Sequence, residues 1–580
     1  MLSTMSIPPQ RSERHAFSLM LAIAVVVGAF FRLWLIQSQV FIDDEWHSIS
    51  VVMAKPLSWL LINFTVPNGF TSIPMNLYQW MLLETIGWSE QLLRMPSIVL
   101  GLLCLLLGPI LCKGVVGTRR AAILGLLLAI SPLLVFYGRL SRPYSAVVFF
   151  SFVSFLYAAQ WMQSGKLRHA VGFAIGGVLA VYCQPFAAVA VATMGGSLFT
   201  ESLLRPLRSK ASNRNGPSRL QVVAVLLAMG LTGAILLLPA LIHSMETSFL
   251  DVLQRGTIYL SSWTRLLSLI SGTANPILAI LFWVVFLMGV VDLYRRNPWL
   301  AFTFAAFFPL QVLALWITRP HSCDVGILLA RYSMPLIPVT LLLVACGLQA
   351  CLDLLAARLK LKSSLLGLLA FTFVAALALA GPLPGIYTAP NQFTNHGIFQ
   401  HNYEKLDWSH SFVSDFLGPN FRIETSIRAE DLSDFYRVLR EHPNQRPIVE
   451  YPMLIGDHFN PLYFYQWHHR RPILVGYARS PDAPRRLQAG GVYGNTYIDE
   501  VMNLIEDPGQ LRFRNLIEMH DIEGMRAKGA EYVILHKRFE AEIWQVAPPP
   551  PALKTLMVQY RATLPLVHED NAMVVFGLDP

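Results

Sequence analysis

Apolar residues in this chain gather into runs separated by short polar segments as far as residue 386, and there the pattern stops. A helix that crosses a bilayer needs ~20 mostly apolar residues. By that measure the first run, Ala16–Gln37, is a membrane anchor, with Arg11 and Arg14 before it and no small-residue cleavage site after it. Further runs follow at Met95–Leu111, Ala121–Tyr137, Tyr144–Met162, Val171–Cys183, Phe186–Thr200, Leu220–Ile242, Pro276–Leu293, Leu300–Ile317, Tyr332–Leu352 and Leu365–Ile386. The stretch from Val171 to Thr200 is divided because Gln184-Pro185 interrupts it. Beyond Tyr387 the spacing changes. Short β-branched runs at Pro447–Tyr451, Pro472–Gly476, Tyr532–Leu535 and Met573–Phe576 predict buried strands. Ser426–Glu441 predicts an amphipathic helix, Asp521–Lys528 a second helix, and Pro548–Pro551 a stiff break. The fold class is mainly α: a polytopic membrane protein with about eleven transmembrane helices, followed by an α/β domain.

Composition agrees. Hydrophobic residues make up 54% of the 580 and charged residues 14%, against ~25% charged in soluble proteins. That excludes a disordered chain, a collagen and a nucleic-acid array. The net charge of +9 therefore reads as a signature of cytoplasmic loops, with no nucleic-acid partner. Lys113, Arg119 and Arg120 fall in one loop, Lys166 and Arg168 in the next, and Arg205, Arg208, Lys210, Arg214 and Arg219 in a third. Arg295 with Arg296, and Arg358 with Lys360 and Lys362, fill two more. All land on one side only if the Gln184-Pro185 division holds, since one helix fewer would move the later loops across. The expected organisation is a cytoplasmic N-terminus over 1–15, a membrane domain over 16–386 with a long external loop over 38–93, and an extracytoplasmic α/β domain over 387–580. The location is the cell's inner, plasma membrane. Cysteines add little: Cys104, Cys112, Cys346 and Cys351 lie in apolar runs, and a bridge between Cys183 and Cys323 has no support.

The spans are poor in ionisable residues, whereas acids and histidines gather in the outward loops, including Glu84, His243, Glu246, Asp251, His321 and Asp324. A transporter places such groups at the bilayer midplane, so this distribution favours chemistry at the outer surface. The densest cluster is Asp43-Asp44-Glu45-Trp46-His47, directly after the first span. Adjacent carboxylates beside an apolar surface raise one another's pKa, which suits general-base work or cation binding. A charged membrane-exit flag is the alternative. Asp44 and His47, three apart, could share a helix face and hold a divalent metal ion. In the first loop, Leu57–Leu61 and Ile73–Ile86 predict helices lying on the membrane, with Trp59, Trp80 and Trp88 at interfacial depth or against a sugar. His468-His469-Arg470-Arg471 reads as a solvated or acceptor-binding surface.

Four segments, taken in order, resemble the C-type membrane glycosyltransferases, above all the family of protein O-mannosyltransferases and lipid A aminoarabinose transferases. Asp44-Glu45 is similar to the acidic pair of that family's first external loop, and Ser89-Glu90-Gln91-Leu92-Leu93-Arg94-Met95-Pro96-Ser97 to its loop-to-helix motif. Ser141-Arg142-Pro143-Tyr144-Ser145 resembles its R-P-Y-S segment, and Ala330-Arg331-Tyr332-Ser333-Met334-Pro335 with Pro338 its R-Y-x-x-P-x-x-P motif. The likeness spans roughly residues 15 to 390. Tyr182-Cys183-Gln184-Pro185 departs from it, where members carry a His- or Tyr-rich element.

The resemblance implies inverting transfer of a sugar from a polyprenyl-phosphate donor to a lipid, glycan or protein acceptor outside the cytoplasm. In that reading Asp44 is the catalytic carboxylate, with Asp43 and Glu45 as rivals. Arg331 with Tyr332 and Arg142 with Tyr144 bind the donor phosphate at headgroup depth, where a guanidinium forks onto phosphate. Ordinary interfacial anchoring is the other role open to these two pairs. Arg94 and Glu90 support the site, Arg94 by tying loop carbonyls together, and membrane lipids are the remaining partners. Two further classes stand beside the enzyme: a transporter or flippase of lipid-linked saccharides, and a non-catalytic envelope assembly subunit.

Overall fold

The structure is a computed structural model. It describes residues 11–34, most of 56–86, 90–208, 216–245, 258–361 apart from 274 and 321–325, 363–381, 519–537 and 553–579, with scattered shorter stretches elsewhere. In chain order the helices are α1 (Arg11–Leu33), α2 (Leu57–Ile62), α3 (Ile73–Thr85), α4 (Glu90–Val116), α5 (Thr118–Ile130), α6 (Pro132–Tyr137), α7 (Tyr144–Ser164) and α8 (Leu167–Cys183). They continue as α9 (Ala187–Arg208), α10 (Arg219–Met245), α11 (Leu260–Ser271), α12 (Pro276–Arg296), α13 (Pro298–Thr318), α14 (Gly326–Tyr332), α15 (Leu336–Leu359) and α16 (Ser363–Leu379).

Every apolar run carries a helix, and among the described residues eight helices are long and apolar enough to cross a membrane. The others are shorter, and proline explains two of the differences. Ser131-Pro132 breaks the third run into α5 and α6, because a residue before proline is driven out of the helical region. The run placed at Tyr332–Leu352 is instead α14, a break at Ser333–Pro335, and α15. Gln184-Pro185 does end α8 before α9 begins. The first helix stops at Leu33 rather than Gln37, where Arg139 takes its terminal carbonyls: Nη1 donates to Phe31 O at 3.1 Å and Trp34 O at 2.8 Å. In the first loop, Trp59 and Trp80 pack over Val52 and Leu60 in a small core of the loop itself, and Trp88 lies outside the described residues.

Close packing holds the bundle. A Cβ on Gly289 of α12 would sit 1.7 Å from Leu343 O, and one on Gly347 of α15 would sit 1.8 Å from Val285 O. The two helices therefore cross with their backbones touching, as small residues allow in lipid. At one end, Asp292 accepts Arg120 Nε at 3.0 Å and Arg296 Nε at 3.0 Å. The basic clusters holding Arg120 and Arg296, assigned to one side from sequence, share one carboxylate. Arg94 lies in the first turns of α4, at the far end of that helix from Lys113.

Near the C-terminus a five-stranded sheet is formed by β1 (Ile448–Glu450), β2 (Ile473–Leu474), β3 (Tyr532–His536), β4 (Leu566–Glu569) and β5 (Met573–Gly577), in the order β4-β5-β3-β1-β2, and among the described residues two short strand pairs lie beside it in the sequence. β1 runs parallel to β2 and β3, and β5 antiparallel to β3 and β4. The four buried strands match the predicted runs. β4 was not predicted, being an edge strand with Leu566 and Val567 exposed. The predicted helix at Ser426–Glu441 appears as Phe435–Glu441, and Asp521 caps Ile522–Ala527 by accepting Gly524 N–H at 2.8 Å. Pro548–Pro551 lies outside the described residues.

One prediction for this domain is corrected. His469 and Arg471 are not a surface: both are completely buried. Arg471 pairs with Glu531 and donates to Arg446 O at 2.9 Å. His469 Nδ1 accepts the Arg471 N–H at 2.9 Å, and its Nε2 lies 3.5 Å from Glu450, an ion-pair distance rather than a hydrogen bond. Glu450 also faces His536 at 3.4 Å and accepts the Tyr436 hydroxyl at 2.9 Å. Burial alone would raise its carboxyl, but the two imidazoles overcome this and hold it at about 2, against an ordinary 4.5. A carboxyl depressed on folding contributes stability that is complete above its unfolded value and lost as the pH falls toward the folded one. The sheet domain should therefore lose stability between pH 4.5 and about 2. Glu450→Gln should flatten that part of the profile, measured as Tm against pH; an unchanged acid limb would remove Glu450 as its cause.

Candidate active site

The acidic run after α1 is fixed to the bundle by a fork. Arg94 donates from Nε to Glu45 Oε1 at 2.9 Å and from Nη2 to Oε2 at 2.8 Å, and neither side chain is exposed at all. A bidentate charged pair in a dry site is strong when its remaining atoms are also satisfied. Here Glu45 Oε1 also accepts the Ser141 backbone N–H at 2.6 Å. Ser141 Oγ donates to Leu93 O at 2.7 Å, one residue before Arg94, and receives Gln79 Nε2 at 3.1 Å. Ser48 Oγ donates to Asn76 Oδ1 at 2.6 Å and lies 2.9 Å from Gln79 Oε1. Three of the four sequence segments thus meet at Glu45: the acidic loop, the start of α4 and the turn before α7.

Arg142 follows in the same turn. Its carbonyl accepts Ser97 Oγ at 2.8 Å, and its guanidinium lies 5.8 Å from the ring centre of Tyr144, which packs edge-on against Tyr137. Arg331, in the last turn of α14, is half-buried, with its guanidinium 5.2 Å from the Tyr332 ring centre. Both arginines rest beside the tyrosine that follows them in the chain, a geometry suited to cation–π attraction. The two segments border one small cavity, whose walls include Arg32, Gly101, Cys104, Ser145, Val148 and Met334. Phe186, just past the Gln184-Pro185 break, packs 5.2 Å from Tyr332. The residue directly after Tyr182-Cys183-Gln184-Pro185 is therefore in contact with the fourth motif.

Asp43, Asp44 and His47 lie outside the described residues, as do His321, Asp324, His468 and Arg470. Glu90 opens α4, with its side chain also outside. Among the described residues no group of three His, Cys, Asp or Glu could hold a metal ion. Glu45 is no open ligand, because Arg94 occupies both its oxygens. Two buried arginines escaped the sequence reading. Arg139 ties down the end of α1, and Arg32 donates Nη1 to Gly28 O at 3.0 Å from inside the first span. An arginine inside an apolar span was the available signal for Arg32; Arg139, three residues before Arg142, offered none.

This order of helices, with a small sheet domain after them, is the fold of the C-type membrane glycosyltransferases. The chain is similar to ArnT from Cupriavidus metallidurans in the apo state, at 13% identity and a TM-score of 0.50 over 98% of both chains. Against the same protein bound to undecaprenyl phosphate it aligns at 13% identity and TM-score 0.50, over 97% of this chain and 98% of that one. It is similar also to the arabinofuranosyltransferase AftD from Mycobacteria, at 13% identity and TM-score 0.52, over 98% of this chain but 40% of that one. At such identity the likeness shows the fold. No protein-family model matches the chain, and no curated protein sequence does.

The fork makes a testable demand. Arg94→Ala leaves the Glu45 carboxylate buried and unpaired, which costs ~3–5 kcal/mol. Glu45→Ala should cost a similar amount, whereas the double variant should cost clearly less than the sum of the two. Thermal unfolding of all four proteins in one detergent gives the coupling, and strict additivity would mean that the two side chains do not depend on each other.

Proposed function

We propose that this chain is an integral membrane glycosyltransferase that moves a sugar from a polyprenyl-phosphate donor to an acceptor outside the cytoplasm, with inversion. The observation that carries the reading is the Glu45–Arg94 fork. It joins three separated motifs at one buried point, and Asp44 is the residue next to Glu45 in the chain. The fold shared with ArnT, seen with undecaprenyl phosphate, supports a lipid-phosphate donor.

In this reading the membrane domain crosses about eleven times, with α5 and α6 counted as one crossing. The basic loops face the cytoplasm, and the first loop and the sheet domain face the other side. The protein is a multi-pass component of the plasma membrane. Arg331 and Arg142 bind the donor phosphate as charge-assisted partners, and Tyr332 and Tyr144 hold them at headgroup depth. Glu45 is a positioning residue and Asp44 the base. The acceptor oxygen attacks the anomeric carbon as its proton passes to Asp44. A new glycosidic bond forms on one face, while the bond to the phosphate oxygen breaks on the other and its electron pair stays with the phosphate. The arginines neutralise the charge that develops there. A divalent cation at Asp44 and His47 would supply charge neutralisation to the same phosphate; the residues above account for the transfer without a step through it.

Asp44→Asn keeps size and removes basicity. It should retain binding of undecaprenyl phosphate and lose at least ~100-fold in turnover of undecaprenyl-phosphate-linked sugars, the lower end of what a general base contributes. Asp43→Asn should remain active. Near-normal turnover in Asp44→Asn with loss in Asp43→Asn would move the base by one residue, and activity in both would end the base hypothesis.

A further inference from the structure

Arg331 is useful to a phosphate only if its direction is fixed, and three features of the fold bear on that direction. Tyr332 is the last residue of α14, and Pro335 prevents the helix from continuing. A helix end leaves carbonyls without helical partners. The Tyr332 carbonyl is taken by Gln311, whose Nε2 donates to it at 2.7 Å. Gln311 is completely buried in α13, where it is the sole amide side chain in a helix whose other polar side chains are the threonines Thr303 and Thr318 and the indole N–H groups of its two tryptophans. Burying an amide among apolar side chains is costly unless it is hydrogen-bonded, and of this amide the Nε2 has its bond to Tyr332 whereas, among the described residues, the Oε1 is buried without one. The second feature is Phe186, whose ring lies 5.2 Å from the Tyr332 ring at 59°. The third is the Arg331 guanidinium, 5.2 Å from the centre of that same ring.

We infer that Gln311 and Phe186 are positioning residues for the Arg331 contact with a lipid phosphate. Gln311 fixes the backbone of the last turn of α14, and with it the point from which the Arg331 side chain departs. Phe186 fixes the ring beside which the guanidinium rests. The inference rests on the donor-site reading above. It also gives the Gln184-Pro185 break a purpose: ending α8 there brings Phe186 to Tyr332.

Two lipids separate this role from plain packing. Undecaprenyl phosphate and undecaprenol share the tail and differ in the phosphate, so the ratio of their affinities reports the phosphate contact alone. Purified protein in detergent should prefer the phosphate. Gln311→Leu keeps most of the volume and should lower the ratio about tenfold, the scale of one lost hydrogen bond, with undecaprenol binding unchanged. Gln311→Met, of similar length and with no donor, should lower it about as far, and Phe186→Ala should lower it also; these two keep the test open should Gln311→Leu fold poorly. Wild-type ratios in Gln311→Leu and Gln311→Met, or an equal loss of both lipids, overturn the positioning role. Arg331→Ala distinguishes the two levels. A lowered ratio there with no effect at Gln311 overturns this inference alone, whereas an unchanged ratio in Arg331→Ala overturns the donor site with it.

Discussion

A carboxylate and a guanidinium with no exposed surface, joined through both oxygens, set the geometry of this bundle at the end where α4 begins. Neither ion could be buried alone, since the desolvation of each is offset only by the other and by well-placed hydrogen bonds. That dependence makes the fork a constraint on the chain. The acidic loop must come to α4, and the turn before α7 must present its Ser141 N–H, before either charge can leave water. The end of α1 is fixed separately by Arg139. The chain between Trp34 and Glu45 is therefore held at both ends, and Asp43 and Asp44 lie within it.

Arginine makes more than one kind of contact in this bundle. Arg94 and Arg139 are spent on protein partners, a carboxylate in one case and helix-end carbonyls in the other. Arg331 is half-buried, with its guanidinium beside a tyrosine ring at a helix end. A planar fork of donors serves each of these contacts, which is why residue type alone does not assign a role.

Much of the membrane domain was legible because lipid imposes one rule on every span: a long apolar run satisfies its backbone as a helix. The reading failed where proline acts inside a run. Ser131-Pro132 and Ser333–Pro335 sit within continuous hydrophobicity, and the period of apolar residues does not record them. Buried strands were legible from β-branched runs, whereas β4, exposed at the sheet edge, was not. The site shows the same division. Its segments were recognisable one at a time, but the pairing of Glu45 with Arg94 joins residues far apart in sequence, and nothing local marks it. His469 and Arg471 misled for the related reason that their partners, Glu450 and Glu531, lie on other strands or beside them. Charged residues near one another in sequence look solvated until the fold brings a counter-ion.

The central claim is that a lipid-linked phosphate is bound where the two Arg-Tyr segments border the bundle's outward end. A cryo-EM structure with undecaprenyl phosphate tests it directly. The account predicts phosphate density within hydrogen-bonding distance of the Arg331 guanidinium, with Arg142 on the same site and the Glu45–Arg94 fork intact. Phosphate density at the opposite end, beside Arg120 and Asp292, or a ligand held only by its tail with the headgroup away from both arginines, would contradict it.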